Sequence, residues 1–353
     1  MHIFQLQTPA LLVDLERMEA NMDRVDALRA GTSMVLYPHY KSHKCPDLSL
    51  RQLQRGAAGI TCAKLSEAVD LAAAGVENIV IANQVVQAEK LPQLAALAKQ
   101  CRLTVCADQT DNILALEQAM AAQNATLHVL VEYDVGMRRC GADNFEEFLS
   151  LARLVDGQLH LVFEGIQAYA GHLAHEGNAQ KRRFELKAIE TAVAQLKEYV
   201  EANGLAVTHV CGGSTGTVAD KPKNTVYTQL QTGSYLFMDA SYQALDLDFE
   251  QALTILTTVL SVRPDRVVVD CGVKSLSMDQ RPPFFPHFPG AELSFSEEHT
   301  TLLVENSSLR PGDRLVCVPG HCCTTVNTFD RIHLVRNGDV VEILPIISRG
   351  KAQ

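Results

Sequence analysis

The feature that most limits the fold is a regular alternation of short apolar runs with longer amphipathic ones. After a strand-like piece at 9–14 and a helical stretch at 15–29, strands are expected at 33–37, 60–63, 78–82, 103–107, 127–133, 159–168, 207–211 and 229–238. Helical spacing of apolar residues predicts helices at 46–56, 65–74, 88–100, 111–122, 144–154 and 180–202. Gly75 stands where the helix at 65–74 should stop. Parallel strands need such helical crossovers. The rhythm therefore predicts an α/β chain whose N-terminal part, 14–250, is a (β/α)8 TIM-like barrel, a fold of about 250 residues. A doubly wound open sheet is the rival. It often carries a glycine-rich dinucleotide turn after its first strand, and none stands here.

Beyond residue 250 the texture changes. Pieces at 253–262, 266–269, 301–304, 314–318, 332–335 and 340–344 read as strands, separated by turn signals such as Pro311-Gly312-Asp313 and Asn337-Gly338-Asp339. Segments 1–13 and 251–353 are therefore expected to form a C-terminal, mostly β domain. The loop 280–290, with four prolines and three phenylalanines, reads as a surface or interface loop. A hydrophobic content of 47% lets sizeable cores form. There is no apolar run of about 18 residues for a membrane span, and no basic region followed by an apolar run for a secretory leader. A net charge of −10 without a Lys/Arg cluster argues against nucleic acid as a partner. The ten cysteines are scattered, and Cys62, Cys106 and Cys317 sit inside apolar runs. Reduced, buried thiols in the cytoplasm are the expectation. No CxxC pair exists, which argues against a four-cysteine zinc site.

Five segments and one residue pair carry chemistry. Tyr37-Pro38-His39-Tyr40-Lys41-Ser42-His43-Lys44 ends the first barrel strand, on the side where such barrels place active sites. Lys41 there can form a Schiff base with an aldehyde cofactor, or the two lysines can simply be solvated. Asp134-Val135-Gly136-Met137-Arg138-Arg139-Cys140-Gly141 follows the fifth strand. An arginine at a strand end can meet an anionic cofactor oxygen, or belong to a surface turn with a structural ion pair. Gln167 and Tyr169 alternate after the sixth strand and can face the barrel mouth together, or only pack. Cys211-Gly212-Gly213-Ser214-Thr215-Gly216-Thr217 offers backbone N–H groups and hydroxyls for a phosphate. Gln231-Thr232-Gly233-Ser234-Tyr235 falls where it would complete that cradle. Two tight loops are the bland alternative. In Pro319-Gly320-His321-Cys322-Cys323, an extended backbone would turn His321 and Cys323 to one side and Cys322 away. Imidazole and thiolate suit zinc, while a buried histidine beside packed thiols is the alternative.

Together these segments resemble the D-serine dehydratase and D-threonine aldolase family, within the alanine-racemase-like (fold type III) pyridoxal-phosphate enzymes, over nearly the whole chain. The resemblance implies pyridoxal 5'-phosphate on Lys41, with His39 in the same PHxKxHK motif and Arg139 near the cofactor's phenolic oxygen. It implies phosphate turns at Ser214, Thr215 and Gly216 and at Gly233, Ser234 and Tyr235. Gln167 and Tyr169 join the cofactor contacts, and Gln231 stands nearest the place where racemases put an arginine against the pyridine nitrogen. The stretch from Asp270 to Asp279 matches the family's D-x-G-x-K-x-x-x-x-D pattern. His321 and Cys323 are implied as ligands of zinc, or of manganese or another divalent metal, with Lys41 and His321 catalytic. Tyr37 replaces an arginine that many members carry, a change expected to alter cofactor or substrate contacts.

His-x-Cys is similar to the zinc-dependent dehydratases, whereas aldolases more often have His-x-Asp. The implied activity is thus a D-serine dehydratase-like lyase that eliminates water from a small D-β-hydroxy amino acid, giving a 2-oxo acid and ammonia. The alternative is a D-threonine or 3-hydroxyaspartate aldolase, since either route needs a metal beside the hydroxyl. A racemase needs a second base, and no tyrosine follows Tyr242. A non-catalytic pyridoxal-phosphate carrier would need neither the β domain nor the His-x-Cys pair. The family also implies a homodimer, with the loop 282–289 as a candidate contact.

Overall fold

The computed structural model describes residues 1–221 and 223–353. β1 (Ala10–Asp14) enters α1 (Leu15–Arg29), and β2 (Val35–Leu36) is followed by α2 (Pro46–Gln54). The alternation continues through β3 (Ile60–Cys62), α3 (Leu65–Ala73), β4 (Asn78–Gln84), α4 (Leu91–Ala98), β5 (Arg102–Ala107) and α5 (Thr110–Gln123). Then come β6 (Leu127–Glu132), α6 (Phe145–Asp156), β7 (Leu161–Gln167), α7 (Ala179–Ala202), β8 (His209–Gly212), β9 (Gln229–Leu230) and α8 (Ala240–Gln243). The rest is mainly strand: β10 (Leu253–Arg263), β11 (Arg266–Val269), β12 (Glu292–Phe295), β13 (Thr300–Leu303) and β14 (Arg314–Cys317), then α9 (Cys322–Val326), β15 (Arg331–Arg336) and β16 (Asp339–Pro345). None of the described helices is long and apolar enough to cross a membrane.

The chain divides into two compact units. One comprises Met1–Asp26, Ser42–Cys45 and Ser234–Gly350, the other Ala27–Lys41, Pro46–Gly233 and Lys351–Gln353. These bounds differ from the expected 14–250. Most of α1 joins the β-rich unit because the Asn21 side-chain amide donates to the Glu250 carbonyl and accepts from the Glu250 N–H, both at 2.7 Å.

The barrel unit holds eight parallel strands in the order β2-β9-β8-β7-β6-β5-β4-β3. The two ends of that order meet: Ala58 N–H donates to the Leu36 carbonyl at 2.9 Å and Thr61 N–H to that of Pro38 at 3.0 Å. Val80, Cys106, Leu130 and Cys211 pack with Tyr37 as an inner layer. Their strand neighbours Ile79, Ile81, Val105, Val129 and Val131 instead join the helix-facing core with Leu71, Leu94 and Leu116. This is the period-two alternation of strands in a barrel. The last strand is much shorter than the expected 229–238. Pairing runs only to Thr232, whose carbonyl accepts from His39 N–H, and Ser234–Leu236 form a 3-10 turn. Tyr235, Leu236, Phe237 and Met238 are all buried, and a buried turn and a buried strand present the same apolar run.

At the strands' N-terminal ends a polar cluster fills the barrel. The β6–β7 register shifts between Phe163 and Gly165, so Glu164 is the extra residue of a bulge. A Cβ on Gly165 would stand 2.0 Å from the His209 carbonyl, so only glycine fits there. The Glu164 carboxylate accepts from Arg102 and from His128 Nδ1, each at 2.7 Å, with His209 Nε2 at 3.3 Å. Burial alone would raise the Glu164 pKa. The hydrogen bonds from His128 and Arg102 outweigh it and hold the pKa at about 2. The folded value is thus depressed below the ordinary 4.5. The stabilisation is complete above pH 4.5 and is lost as pH falls through about 2. It corresponds to about 3 kcal/mol. Thermal denaturation followed from pH 7 downward should show wild type losing this increment in that window. Glu164→Gln should start less stable and lack that step, and an unchanged acid limb would show that Glu164 is not responsible.

In the β-rich unit the sheet runs β12-β13-β11-β10-β1-β15-β16, with β14 also on β10. The β15–β16 hairpin turns at Asn337 and Gly338, with φ of 52° and 81°, as the Asn-Gly signal predicts. β12 escaped the sequence reading because its residues are at best half-buried and lack an apolar run. The loop 280–290 is not all surface. Phe285 is fully buried, and Phe284 exchanges backbone hydrogen bonds with Val318 at 2.9 and 3.1 Å.

Candidate active site

Lys41 stands where the barrel unit's first strand ends, in the 3-10 turn Tyr40–Ser42. Its N–H donates to His39 Nδ1 at 3.3 Å, while the His39 N–H continues the ladder to Thr232. The Lys41 ammonium lies 5.7 Å from the centroid of the Tyr169 ring, and the Arg139 guanidinium lies 5.7 Å from the same centroid. Both distances fall within cation–π range. Two cations from two strand ends thus meet the ring of a residue from a third. The loop that delivers Arg139 is shaped by Asp134, whose carboxylate accepts from the N–H groups of Gly136 and Arg138 at 2.8 and 2.9 Å. Arg139 faces Glu132 at 3.8 Å, and Gln84 donates to that carboxylate at 2.6 Å. Burial raises the Glu132 pKa.

After β8 the chain turns on Gly213, whose φ of 86° favours glycine. A Cβ on Gly216 would stand 2.0 Å from the Ala174 carbonyl, so that position too admits no side chain. The turn exposes little: Ser214, Thr215 and Thr217 are buried. The Ser214 and Thr217 hydroxyls are 3.1 Å apart, and Thr215 Oγ1 is 2.7 Å from Thr232 Oγ1, which joins the two expected phosphate turns. Gly233 is buried directly after Thr232. Gln167 and Gln231 exchange amide hydrogen bonds at 2.9 and 3.1 Å, so each fixes the orientation of the other's neutral amide. Tyr37 is held by other contacts. Its hydroxyl accepts from the Asn78 amide at 2.7 Å, at the opposite end of the strands, and its ring fills the inner layer.

Ser234 and Tyr235 belong to the β-rich unit. There the Ser234 hydroxyl lies 3.6 Å from Cys323 Sγ, and Tyr235 packs near Phe249. The metal segment is not extended, as the sequence had suggested. Cys322–Val326 is a short helix with His321 as its N-cap residue. The donor atoms of His321, Cys322 and Cys323 lie within 4.8 Å of one another. Cys322 Sγ therefore does not turn away: it is 3.9 Å from Cys323 Sγ, although fully buried where Cys323 is half-buried. The helical start, not a strand's two-residue period, brings His321 and Cys323 together. Cys323 Sγ also lies 3.5 Å from Ser42 Oγ, the residue after Lys41 in the chain.

Two carboxylates complete the cluster. Asp279 Oδ2 is 2.8 Å from His321 Nδ1, and its other oxygen accepts from Thr324 at 2.8 Å. Burial would raise the Asp279 pKa, but hydrogen bonds from Ser277, His321 and Thr324 pull it to about 2. Burial would lower the His321 pKa, but Cys323 and Asp279 raise it to about 10. Asp239 accepts from the N–H of Cys322 at 2.7 Å and anchors the helix start. Asp279 carried a signal in the D-x-G-x-K-x-x-x-x-D pattern that the sequence reading left without a role. Asp239 and Ser42 carried none. A histidine whose Nδ1 meets a carboxylate, beside thiols, is a donor set that suits a zinc-like cation.

The alanine racemase N-terminal domain family matches residues 13–241, and a serine dehydratase domain matches 252–335. The chain belongs to the D-threonine aldolase and D-serine dehydratase branch of the alanine-racemase-like pyridoxal-phosphate family. Members of this branch are pyridoxal-phosphate-dependent lyases. The chain is 38% identical to a D-threonine aldolase of an Arthrobacter species, over 98% of this chain and 93% of the relative. The crystal structure of a D-threonine aldolase from Filomicrobium marinum superposes with a TM-score of 0.96 at 35% identity, covering 99% of this chain and 97% of that one. A D-threo-3-hydroxyaspartate dehydratase, solved in a metal-free form with a cysteine replaced by alanine, gives a TM-score of 0.87 at 25% identity and covers 98% of both chains. Branch membership accounts for the barrel and the β-rich unit together.

Proposed function

We propose that the chain is a metal-dependent D-β-hydroxy amino acid aldolase, which breaks the Cα–Cβ bond to leave glycine and an aldehyde. The observation that carries this reading is the likeness to D-threonine aldolases at 38% and 35% identity over almost the whole chain, against 25% for the dehydratase. It replaces water elimination as the favoured outcome. The His-x-Cys spacing still supports a second reading as a dehydratase.

The residues suit both groups that the reaction requires. Lys41 offers the amine for a cofactor aldehyde, and the Ser214, Thr215, Thr217 and Thr232 hydroxyls beside Gly213 offer polar contacts for a phosphate. Gln231, neutral and tied to Gln167, suits a pyridine nitrogen left unprotonated. When bound, pyridoxal phosphate supplies an electron acceptor conjugated to the substrate's α-carbon, and a divalent cation supplies Lewis acidity at a hydroxyl. The Lys41 amine would move a proton at the substrate's α-carbon. Asp279 holds His321 through Nδ1, so Nε2 is the nitrogen that would meet a cation together with Cys323. Cleavage takes the proton from the β-hydroxyl, breaks Cα–Cβ and returns a proton to Cα.

The deciding experiment incubates the holoenzyme with D-threonine, D-serine and 3-hydroxy-D-aspartate and identifies the products. Glycine with acetaldehyde from D-threonine, and glycine with glyoxylate from 3-hydroxy-D-aspartate, are expected. Ammonia with pyruvate from D-serine or with oxaloacetate from 3-hydroxy-D-aspartate, without glycine, would establish the dehydratase instead.

A further inference from the structure

We infer that Lys221, outside every motif named above, is a positioning residue that holds the glycine turn after β8 in the shape that receives a phosphate. The inference rests on the cofactor reading just given. The Lys221 side chain is 1% exposed, with Nζ 3.1 Å from Glu190 Oε1 and 3.4 Å from the centroid of the Tyr227 ring. The Thr225 hydroxyl donates to the same Glu190 oxygen at 2.9 Å. Lysine is rarely buried unless paired, and a buried ion pair is seldom the most stabilising way to fill a core. Burial lowers the Lys221 pKa against the pull of Glu190, to about 8, so the ammonium remains charged at neutral pH.

What the pair touches explains its use. A Cβ on Gly213 would stand 3.2 Å from Lys221 Cε, so the lysine stem lies against the backbone of the turn. A Cβ on Gly212 would stand 2.8 Å from a Tyr227 ring carbon. The Tyr227 hydroxyl donates at 2.9 Å to the carbonyl of Ala168, which lies between Gln167 and Tyr169. One buried assembly thus backs both the turn and the segment that carries Gln167 and Tyr169. The far end of the loop is pinned as well. Asp220, at the end of the 3-10 turn Val218–Asp220, pairs with Arg182 at 2.6 Å and Arg183 at 2.9 Å. Rigid support of this kind sets how well a binding backbone is preorganised.

The test uses protein stripped of cofactor and measures dissociation constants for pyridoxal phosphate and for pyridoxal, which has the same ring and aldehyde but no phosphate. Lys221→Met combined with Glu190→Gln removes the pair without stranding a buried carboxylate. The double variant should bind pyridoxal phosphate about tenfold more weakly, the size of effect typical of outer supporting contacts. Its affinity for pyridoxal should be unchanged. Tyr227→Phe, which loses the contact to Ala168, should weaken both ligands alike. Equal weakening of both ligands by the double variant would mean general loosening and would overturn the inference, as would no weakening of either. Should the double variant fail to fold, Glu190→Gln alone must show the same selective loss in smaller degree, and its absence would count against the idea. A wild-type protein that binds no pyridoxal phosphate would overturn the cofactor reading and this inference together.

Discussion

Borohydride treatment of the holoenzyme is expected to bleach absorbance at the violet edge of the visible range and to fix the cofactor on Lys41. The expectation follows from position and surroundings. Lys41 ends the first barrel strand, and its ammonium shares the Tyr169 ring with Arg139. Lys44, three residues on, has φ of 49° and gives its carbonyl to Ser348 N–H within the β-rich unit. Peptide mapping should find the label on Lys41 alone. Lys41→Ala should lose turnover by at least about 10³-fold, because a covalent anchor and a proton carrier go together. Thermal denaturation of the cofactor-free variant should match wild type, since the half-buried Lys41 side chain is no core element. A label on Lys44, or near-normal turnover in Lys41→Ala, would end the assignment.

His321→Ala and Cys323→Ala should retain cofactor absorbance yet lose about 10²-fold or more of turnover, as the loss of a metal does. The residues proposed to hold the cofactor are untouched in both variants. Cys322→Ala should stay active, because that thiol is fully buried and the helix start is anchored to Asp239 through the Cys322 N–H, which the substitution keeps. Asp279→Asn is the subtler variant. Its carboxylate orients His321 at 2.8 Å, and loss of such a contact should weaken metal affinity about 10-fold to 100-fold without removing a ligand. Chelation should abolish turnover and zinc should restore it, with elemental analysis following the metal. Full turnover after exhaustive chelation, with no metal found, would remove the cation from the mechanism.

The order of elements was legible because helix and strand periods are local. Helix 15–29 and the strand at 266–269 fall where the pattern put them. The pattern failed where burial hid the period, as in the turn after Thr232, and where a strand had no apolar run, as in β12. The candidate site was legible in part for the same reason. Strand-end loops announce themselves by glycine, hydroxyl and cationic residues, so Lys41, Arg139 and the turn at Gly213 could be named. Which atoms meet could not. His321 and Cys323 do lie together, but a helix start replaces the expected extended segment and keeps Cys322 beside them.

By itself the sequence determined the element types, their alternation, the change of texture near residue 250 and the chemical groups at the strand ends. Tertiary structure alone decided that β2 meets β3 to close the barrel, that a bulge carries Glu164 to Arg102 and His128, and that Asp279 holds His321. It alone set Lys221 against Glu190 and the Tyr227 ring. The physical reason is range. Periodicity and capping act between residues a few positions apart, whereas these contacts join distant segments through strand register and helix packing, and a buried charge finds its partner only once the chain has folded around both.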